Sequence, residues 1–231
     1  MPYYYGFDRT YILVLIGLII TMIAQANVQK AFAKYSKIST KKQITGKQTA
    51  NYILDTRGYN DIKIKQINNA MGDYFNPATK EVALSPQSIN DTSIASVAVA
   101  AHELGHVIQY KEGYTPLRIK SWLVPAVNFG SRLSLPLLFL GMILARQNLI
   151  DVGLILFSLT LIFQVVTLPV EFNASRRALA VLEESGMLVG EENTYAANML
   201  KAAAYTYVAA TLTTALQFLR MFLLFGNRNR D

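Results

Sequence analysis

The 231-residue chain has no cysteine, only two histidines and a single tryptophan. The lack of cysteine excludes disulfides, thiolate metal sites and cysteine nucleophiles together. A metal centre in this chain can draw only on His, Asp and Glu. Charge is scarce as well: 16% of residues are charged and 52% hydrophobic, with a mean hydropathy of +0.25. Soluble domains carry about a quarter of their residues as charges, so part of this chain has too little polar surface to face water.

The shortage is concentrated in segments. Tyr11 to Ala26 forms an apolar run flanked by Asp8 and Arg9 before it and Lys30 after it. With Asn27 and Val28 it approaches the roughly 20 residues that span a hydrocarbon core. The basic residues lie mostly after the run rather than before it, and no secreted-looking domain follows a cleavage site there. It therefore reads as an uncleaved membrane anchor over residues 10–28 rather than a signal peptide.

The net charge of +7 is unevenly spread. Lys30, Lys34, Lys37, Lys41, Lys42 and Lys47 follow the first apolar run with no acidic residue among them. Only Phe32 and Tyr35 could stack on bases there, so the run does not read as a nucleic-acid surface. A basic segment directly after a membrane span is the cytoplasmic flank of the positive-inside rule. That rule places residues 30–120 in the cytoplasm.

Residues 30–120 are the polar block. Lys47 to Asp55 reads as a helix and Arg57 to Asp61 as a turn. Ile62, Ile64 and Ile67 alternate with polar residues, as in a short strand. Asp73 to Leu84 reads as strand, Asn-Pro turn, strand. Asn90 to Ser93 offers N-caps to a helix over Ile94 to Lys111, with Gly113 as its stop.

Trp122 to Ala145 is apolar but interrupted by Asn128, Arg132 and two prolines, so its first half is expected at the membrane interface. Leu149 to Val170 is a span, and Arg146-Gln147-Asn148 between the two implies an antiparallel helical hairpin. Glu171 to Lys201 is polar and helix-prone, broken near Gly186 and Gly190. Ala202 to Phe225 is a last apolar run carrying Arg220, and whether it spans is left open by the sequence; Arg228 and Arg230 after it favour a tilted or non-spanning course.

The expected architecture is mostly α: a polytopic helical membrane protein with a small α+β zincin-like metalloprotease domain. The anchor occupies 10–28, the cytoplasmic zincin-like domain 30–120, the helical hairpin 121–170, a third-ligand helix 171–201 and an apolar C-terminal helix 202–226. The expected location is the cell membrane, crossed several times.

The chemistry lies in His102-Glu103-Leu104-Gly105-His106. On a helix, positions i and i+4 share a face, so both imidazoles reach one metal ion. Glu103 stands beside them, placed to take a proton from an attacking water and hand it to a leaving amine. The helix before it, Ile94 to Ala101, is apolar and closely packed. His, Glu and His buried in such a helix need a partner, and coordination supplies one. Both histidines of the chain fall within these five residues.

Zinc catalysis uses three protein ligands and one open position. With no further His or Cys, the third ligand is expected to be a carboxylate. Glu171, Glu183, Glu184, Glu191 and Glu192 are the candidates. Glu171 is favoured because it opens a new helix where the third apolar run leaves the membrane; Glu183 and Glu184 look like a solvated face.

The helix AVAAHELGHVIQ, the hairpin YFNPATKEVALS and the segment LPVEFNASRRAL together resemble the YugP-like membrane-bound neutral zinc metallopeptidases. The resemblance covers most of the chain after about residue 50. It implies a gluzincin-type site in which His102, His106 and Glu171 hold one zinc ion and Glu103 is the base. More distantly, LPVEFNASRRAL is similar to the Glu-x-x-Ala-Asp segment of membrane heat-shock and CAAX prenyl proteases. Ser175 stands here where those have aspartate, which leaves the supporting role of that position open.

Arg176 or Arg177 could stabilise an oxyanion, or could pair with carboxylates or lipid phosphate instead. Tyr110 and Tyr114, just past the motif, are further candidates. The strand containing Val82, Ala83 and Leu84 is expected to offer an edge to an extended substrate. The resulting reading is a zinc metalloendopeptidase acting on membrane or membrane-proximal proteins, with room for a membrane-protein partner or a second copy of the chain. The rivals are a non-proteolytic zinc-containing adaptor and a basic interfacial protein that binds acidic lipid headgroups.

Overall fold

The computed structural model describes residues 8–69 and 72–226; Arg228 and Arg230 lie outside them. Among the described residues there are seven helices and three strands. In chain order they are α1 (Tyr11–Tyr35), α2 (Gly46–Thr56), β1 (Lys63–Gln66), β2 (Tyr74–Asn76), β3 (Glu81–Leu84), α3 (Pro86–Asn90), α4 (Ile94–Lys111), α5 (Thr115–Ile143), α6 (Gln147–Glu184) and α7 (Glu191–Phe225). The chain divides into two compact units. One comprises residues 8–24, 119–167 and 206–226, the other residues 25–118 and 168–205.

The first unit contains only helical segments and their connections, and its outward face is apolar. Ile12, Leu15, Ile19, Met22 and Ile23 of α1 are each more than half exposed, as are Phe139 and Ile143 of α5, Ile155 of α6 and Phe222 of α7. A water-soluble surface does not carry such a continuous apolar face. All four of these helices are long and apolar enough to cross a membrane, the last apolar run included. Small residues let the helices approach. A Cβ added at Gly153 would stand 3.0 Å from the Ser134 carbonyl oxygen, and one at Gly17 would stand 3.0 Å from the Thr213 side chain. Thr213 Oγ1 donates to the Gly17 carbonyl at 3.0 Å, a polar stitch of the kind that holds helices together where burial of apolar surface gives no net drive.

The helices of this region run further than their apolar segments, which corrects the expected start of a new helix at Glu171. Pro125 and Pro136 do not interrupt the helix: α5 runs unbroken from Thr115 to Ile143 with both inside it. Likewise α6 does not stop where its apolar run ends but continues through Pro169 to Glu184. In both cases proline removes one backbone donor without ending the helix, because packed neighbours and local adjustment can re-satisfy the freed carbonyl.

The second unit is organised around α4. Ser93 caps its start, its Oγ accepting from the Ser96 amide, and Gly113 in the left-handed region (φ +66°) turns the chain away after its end. Ile94, Val97, Ala98, Ala101, Leu104 and Val107 are fully buried. Each such Ile, Leu or Val contributes on the order of 1.5–3 kcal/mol by leaving water, so α4 is a rigid platform. α2, α3, β2 and β3 pack on it. α2 starts with a capping box in which Thr45 and Gln48 satisfy each other's backbone amides. Lys111 at the end of α4 and Lys80 both pair with Asp61. Their hydrogen bonds, Lys111 first, hold the Asp61 carboxyl down to about 2, so this tie persists until the pH falls through that value.

The sheet has the order β1-β3-β2. β2 and β3 form the antiparallel hairpin read from the Asn-Pro turn, with Phe75 opposite Val82. β1 pairs in parallel with β3, placing Ile64 beside Val82. β3 is thus the middle strand, and Val82, Ala83 and Leu84 are buried with both backbone edges occupied. The expectation that they offer an edge to a substrate is overturned. Among these strands, only β1 and β2 have an unpaired side.

Candidate metal centre

α4 carries His102 and His106 one turn apart, and their rings meet edge to face with centroids 4.8 Å apart. α6 brings Glu171 across from them. Glu171 Oε2 lies 3.3 Å from His102 Nε2 and 3.5 Å from His106 Nε2. The three ligand atoms of His102, His106 and Glu171 fall within 4.8 Å of one another, the only such metal-competent group of His, Asp and Glu among the described residues. Glu171 is 3% exposed, in the interior of α6 rather than at a helix start. A favourable helix dipole therefore does not explain a carboxylate there.

Gly105, between the two histidines, permits the approach. A Cβ there would stand 2.4 Å from the Ala174 carbonyl oxygen and 3.0 Å from its carbon. Those are backbone atoms that cannot rotate aside. Only glycine lets α6 come close enough to set Glu171 and Ser175 against the two imidazoles.

The far nitrogens of both rings are occupied. Ser175 Oγ lies 3.2 Å from His102 Nδ1. Ser175 thus stands beside His102, at the position its departure from aspartate left open. His106 Nδ1 lies 3.0 Å from Gln109 Oε1. The orientation of the Gln109 amide is fixed, since its Nε2 donates to the Val170 carbonyl at 2.8 Å and to Asn173 Oδ1 at 2.9 Å. Asn173 Oδ1 in turn accepts from Arg177 Nε at 2.7 Å. Gln109 Oε1 can only accept, so His106 Nδ1 carries the proton. In the neutral ring Nε2 is then a lone pair aimed at a carboxylate. A lone pair facing an anion is unfavourable unless a metal ion or a proton sits between them.

The two His–Glu separations are compatible with zinc on a second count. Tetrahedral bonds of about 2.0–2.1 Å place neighbouring ligand atoms about 3.3–3.4 Å apart. They lie near this edge and are long for a direct N–H···O bond. The three atoms together spread over as much as 4.8 Å, so the imidazoles would draw together on a shared ion.

The other candidates divide clearly. Glu103 is buried at 7% exposure on the same helix. Arg177 belongs to the supporting network: besides Asn173 it pairs with Glu112, and its guanidinium lies 5.9 Å from the Tyr114 ring centroid. Arg176 is exposed, five residues beyond Glu171, and is not brought to the histidines. Tyr110, four residues after His106, packs on Phe75 of β2 with ring centroids 5.6 Å apart. Tyr114 donates from its hydroxyl to the Pro169 carbonyl at 3.4 Å. Glu192 is committed elsewhere, accepting from the Lys41 and Val189 amides at 2.6 and 2.8 Å. Glu191 accepts from the Tyr195 hydroxyl, and Glu183 and Glu184 are exposed at the end of α6.

The family described as "Putative neutral zinc metallopeptidase" matches residues 10–226. The chain belongs to that family. It is also 41% identical, over 205 residues, to "Putative membrane protease YugP" of Bacillus subtilis (strain 168), an alignment covering 88% of this chain and 91% of the relative. No solved structure matches the chain.

Gln109 and Asn173 were not singled out by the motif. The available signal is a glutamine three residues past His106 on a helix whose buried side is mostly apolar. Gln109 is fully buried, and a buried amide must be hydrogen-bonded. Replacing it with alanine is expected to weaken zinc binding by about 10–100-fold, the usual cost of losing a ligand's supporting partner. Competition with a chelator of known affinity measures this; unchanged affinity would show that the network does not hold His106.

Proposed function

We propose that the chain is a zinc metalloendopeptidase of the cell membrane, with His102, His106 and Glu171 as the metal ligands and Glu103 as general base and acid. The observation that supports this most is the convergence of both imidazole Nε2 atoms on the Glu171 carboxylate, with their Nδ1 atoms held from behind. A zinc ion bound by these three donors supplies a Lewis acid that polarises a peptide carbonyl and acidifies water. The protein's own part is orientation and proton transfer. Gln109 fixes the tautomer of His106, and Ser175 and Gln109 together hold the planes of the rings. Glu103 takes the proton of the attacking water and returns it to the departing amine. The low exposure of Glu103 and Glu171 keeps bulk water from screening these charges.

Purified full chain loaded with zinc is expected to degrade an unfolded protein such as casein. A chelator should abolish the activity and added zinc should restore it. Zinc binding without cleavage across a broad panel of proteins would favour the adaptor reading.

The protein is proposed to cross the membrane several times, with the unit that carries α4 in the cytoplasm. The six lysines between Lys30 and Lys47 all belong to that unit, and the positive-inside rule favours the cytoplasm for them. Because the chain has no cysteine, a single Lys37→Cys substitution reports topology directly. An impermeant thiol reagent should label it only after lysis; labelling in intact cells would reverse the orientation. The substrate class we propose is membrane or membrane-proximal protein, presented to a site carried on the same chain as the spans.

A further inference from the structure

The second unit has a cleft that the metal centre does not use. It has a volume of about 360 Å³ and lies between α1 and α7. Asn27, Lys30, Ala31 and Lys34 line one wall and Asn198, Lys201, Ala202 and Tyr205 the other. On each helix these positions follow the spacing i, i+3, i+4, i+7, so each wall is one continuous helix face. The alanines make room between the walls, and Tyr35 stacks on Tyr195 with ring centroids 5.7 Å apart where the two helices meet.

Three ammonium groups therefore border one cleft. Among the described residues no carboxylate pairs with Lys30, Lys34 or Lys201. Lys34 and Lys201 instead lie 5.1 and 5.9 Å from the ring centroids of Tyr35 and Tyr205. Lys30 and Lys34 are a like-charged i, i+4 pair, an arrangement that costs a helix a few tenths of a kcal/mol unless an anion shares the site. Asn27 and Asn198 add amide donors at the same walls, so the cleft presents positive charge and N–H groups to one small volume.

The sequence says at what depth this volume lies. Asn27 directly follows the apolar run Tyr11–Ala26, and Ala202 opens the run that ends at Phe225. Both walls thus stand where their helices change from polar to apolar, the level of lipid headgroups in a bilayer, and Tyr205 is the residue type enriched there.

We propose that this cleft binds the phosphate of an anionic phospholipid headgroup, gripped by Lys30, Lys34 and Lys201 and by the amides of Asn27 and Asn198. The inference rests on the membrane placement above and is independent of the peptidase reading. Bound lipid would tie α1 to α7 at the end of their apolar runs, making the unit that holds the metal ligands sensitive to the charge of the surrounding membrane.

The test uses the full chain in neutral detergent, titrated with phosphatidylglycerol, phosphatidylcholine or inorganic phosphate while the thermal unfolding midpoint is read. Phosphatidylglycerol should raise the midpoint by selective binding, and phosphatidylcholine should not. Lys30→Gln, Lys34→Gln and Lys201→Gln combined should weaken phosphatidylglycerol binding by about a hundredfold, and Lys201→Gln alone by about fivefold if the triple variant does not fold. Lys37→Gln, Lys41→Gln and Lys42→Gln remove the same charge outside the cleft and should leave binding intact. Equal loss in both triple variants, or in neither, would overturn the site. A midpoint shift with inorganic phosphate as large as with the lipid would overturn the lipid assignment. Membrane fractionation of the same variants keeps failure of the site distinct from failure of the membrane placement.

Discussion

Glu103→Gln is expected to hold zinc like the wild type and to lose peptide cleavage by about 10²–10⁴-fold, the range contributed by a positioned general acid or base. The substitution preserves the volume of a side chain that is only 7% exposed, so packing of α4 is undisturbed. It keeps one acceptor oxygen and turns the other into an N–H donor, and a carboxamide cannot take up a proton near neutral pH. The loss therefore isolates proton transfer from metal binding. Chelator competition and single-turnover cleavage on the same preparation separate the two. Wild-type cleavage in Glu103→Gln would remove Glu103 from the mechanism, and loss of zinc would make it a structural residue.

The second large effect is expected at Glu171. Glu171→Ala leaves His102 and His106 as two donors where catalytic zinc needs three from the protein. Affinity should fall by more than about a hundredfold, beyond the 10–100-fold typical of a lost supporting partner, and cleavage should fall with it at limiting zinc. Glu183→Ala and Glu184→Ala should change neither, since both carboxylates are exposed at the end of α6. The fold should survive the Glu171 change, because Gly105 against Ala174 and the apolar residues of α4 hold the two helices in contact independently of the carboxylate. If zinc is retained in Glu171→Ala, another donor completes the site and the geometry described here is not the functional one.

How much of this was readable beforehand depends on how local each feature is. The bounds of α4 and the β2–β3 hairpin follow from caps, a glycine stop and an Asn-Pro turn, all written within a few residues. The imidazole pair follows from a four-residue spacing. What the sequence does not announce is non-local. β1 and β3 pair in parallel across an intervening strand, and nothing near Val82 announces that its second edge is taken. Glu171 is the carboxylate the sequence favours among five, but for a wrong local reason: a proline and the end of an apolar run resemble a helix boundary, whereas α6 passes through both. The chain from Arg177 through Asn173 and Gln109 to His106 joins residues more than 60 positions apart. A buried glutamine hints at such a partner without saying which residue it is. Ser175 illustrates the same limit, since only the geometry shows that a hydroxyl reaches His102 Nδ1.

The metal centre itself is tested most directly by zinc content and zinc K-edge absorption on the purified full chain. The expected result is about one zinc per chain with nitrogen and oxygen neighbours at about 2.0–2.2 Å. A cysteine sulfur shell is impossible, because the chain has no cysteine. The imidazole contribution should vanish when His102 and His106 are both replaced by alanine. A wild-type chain that takes up no zinc, or zinc whose surroundings ignore the loss of both histidines, would contradict the centre formed by His102, His106 and Glu171.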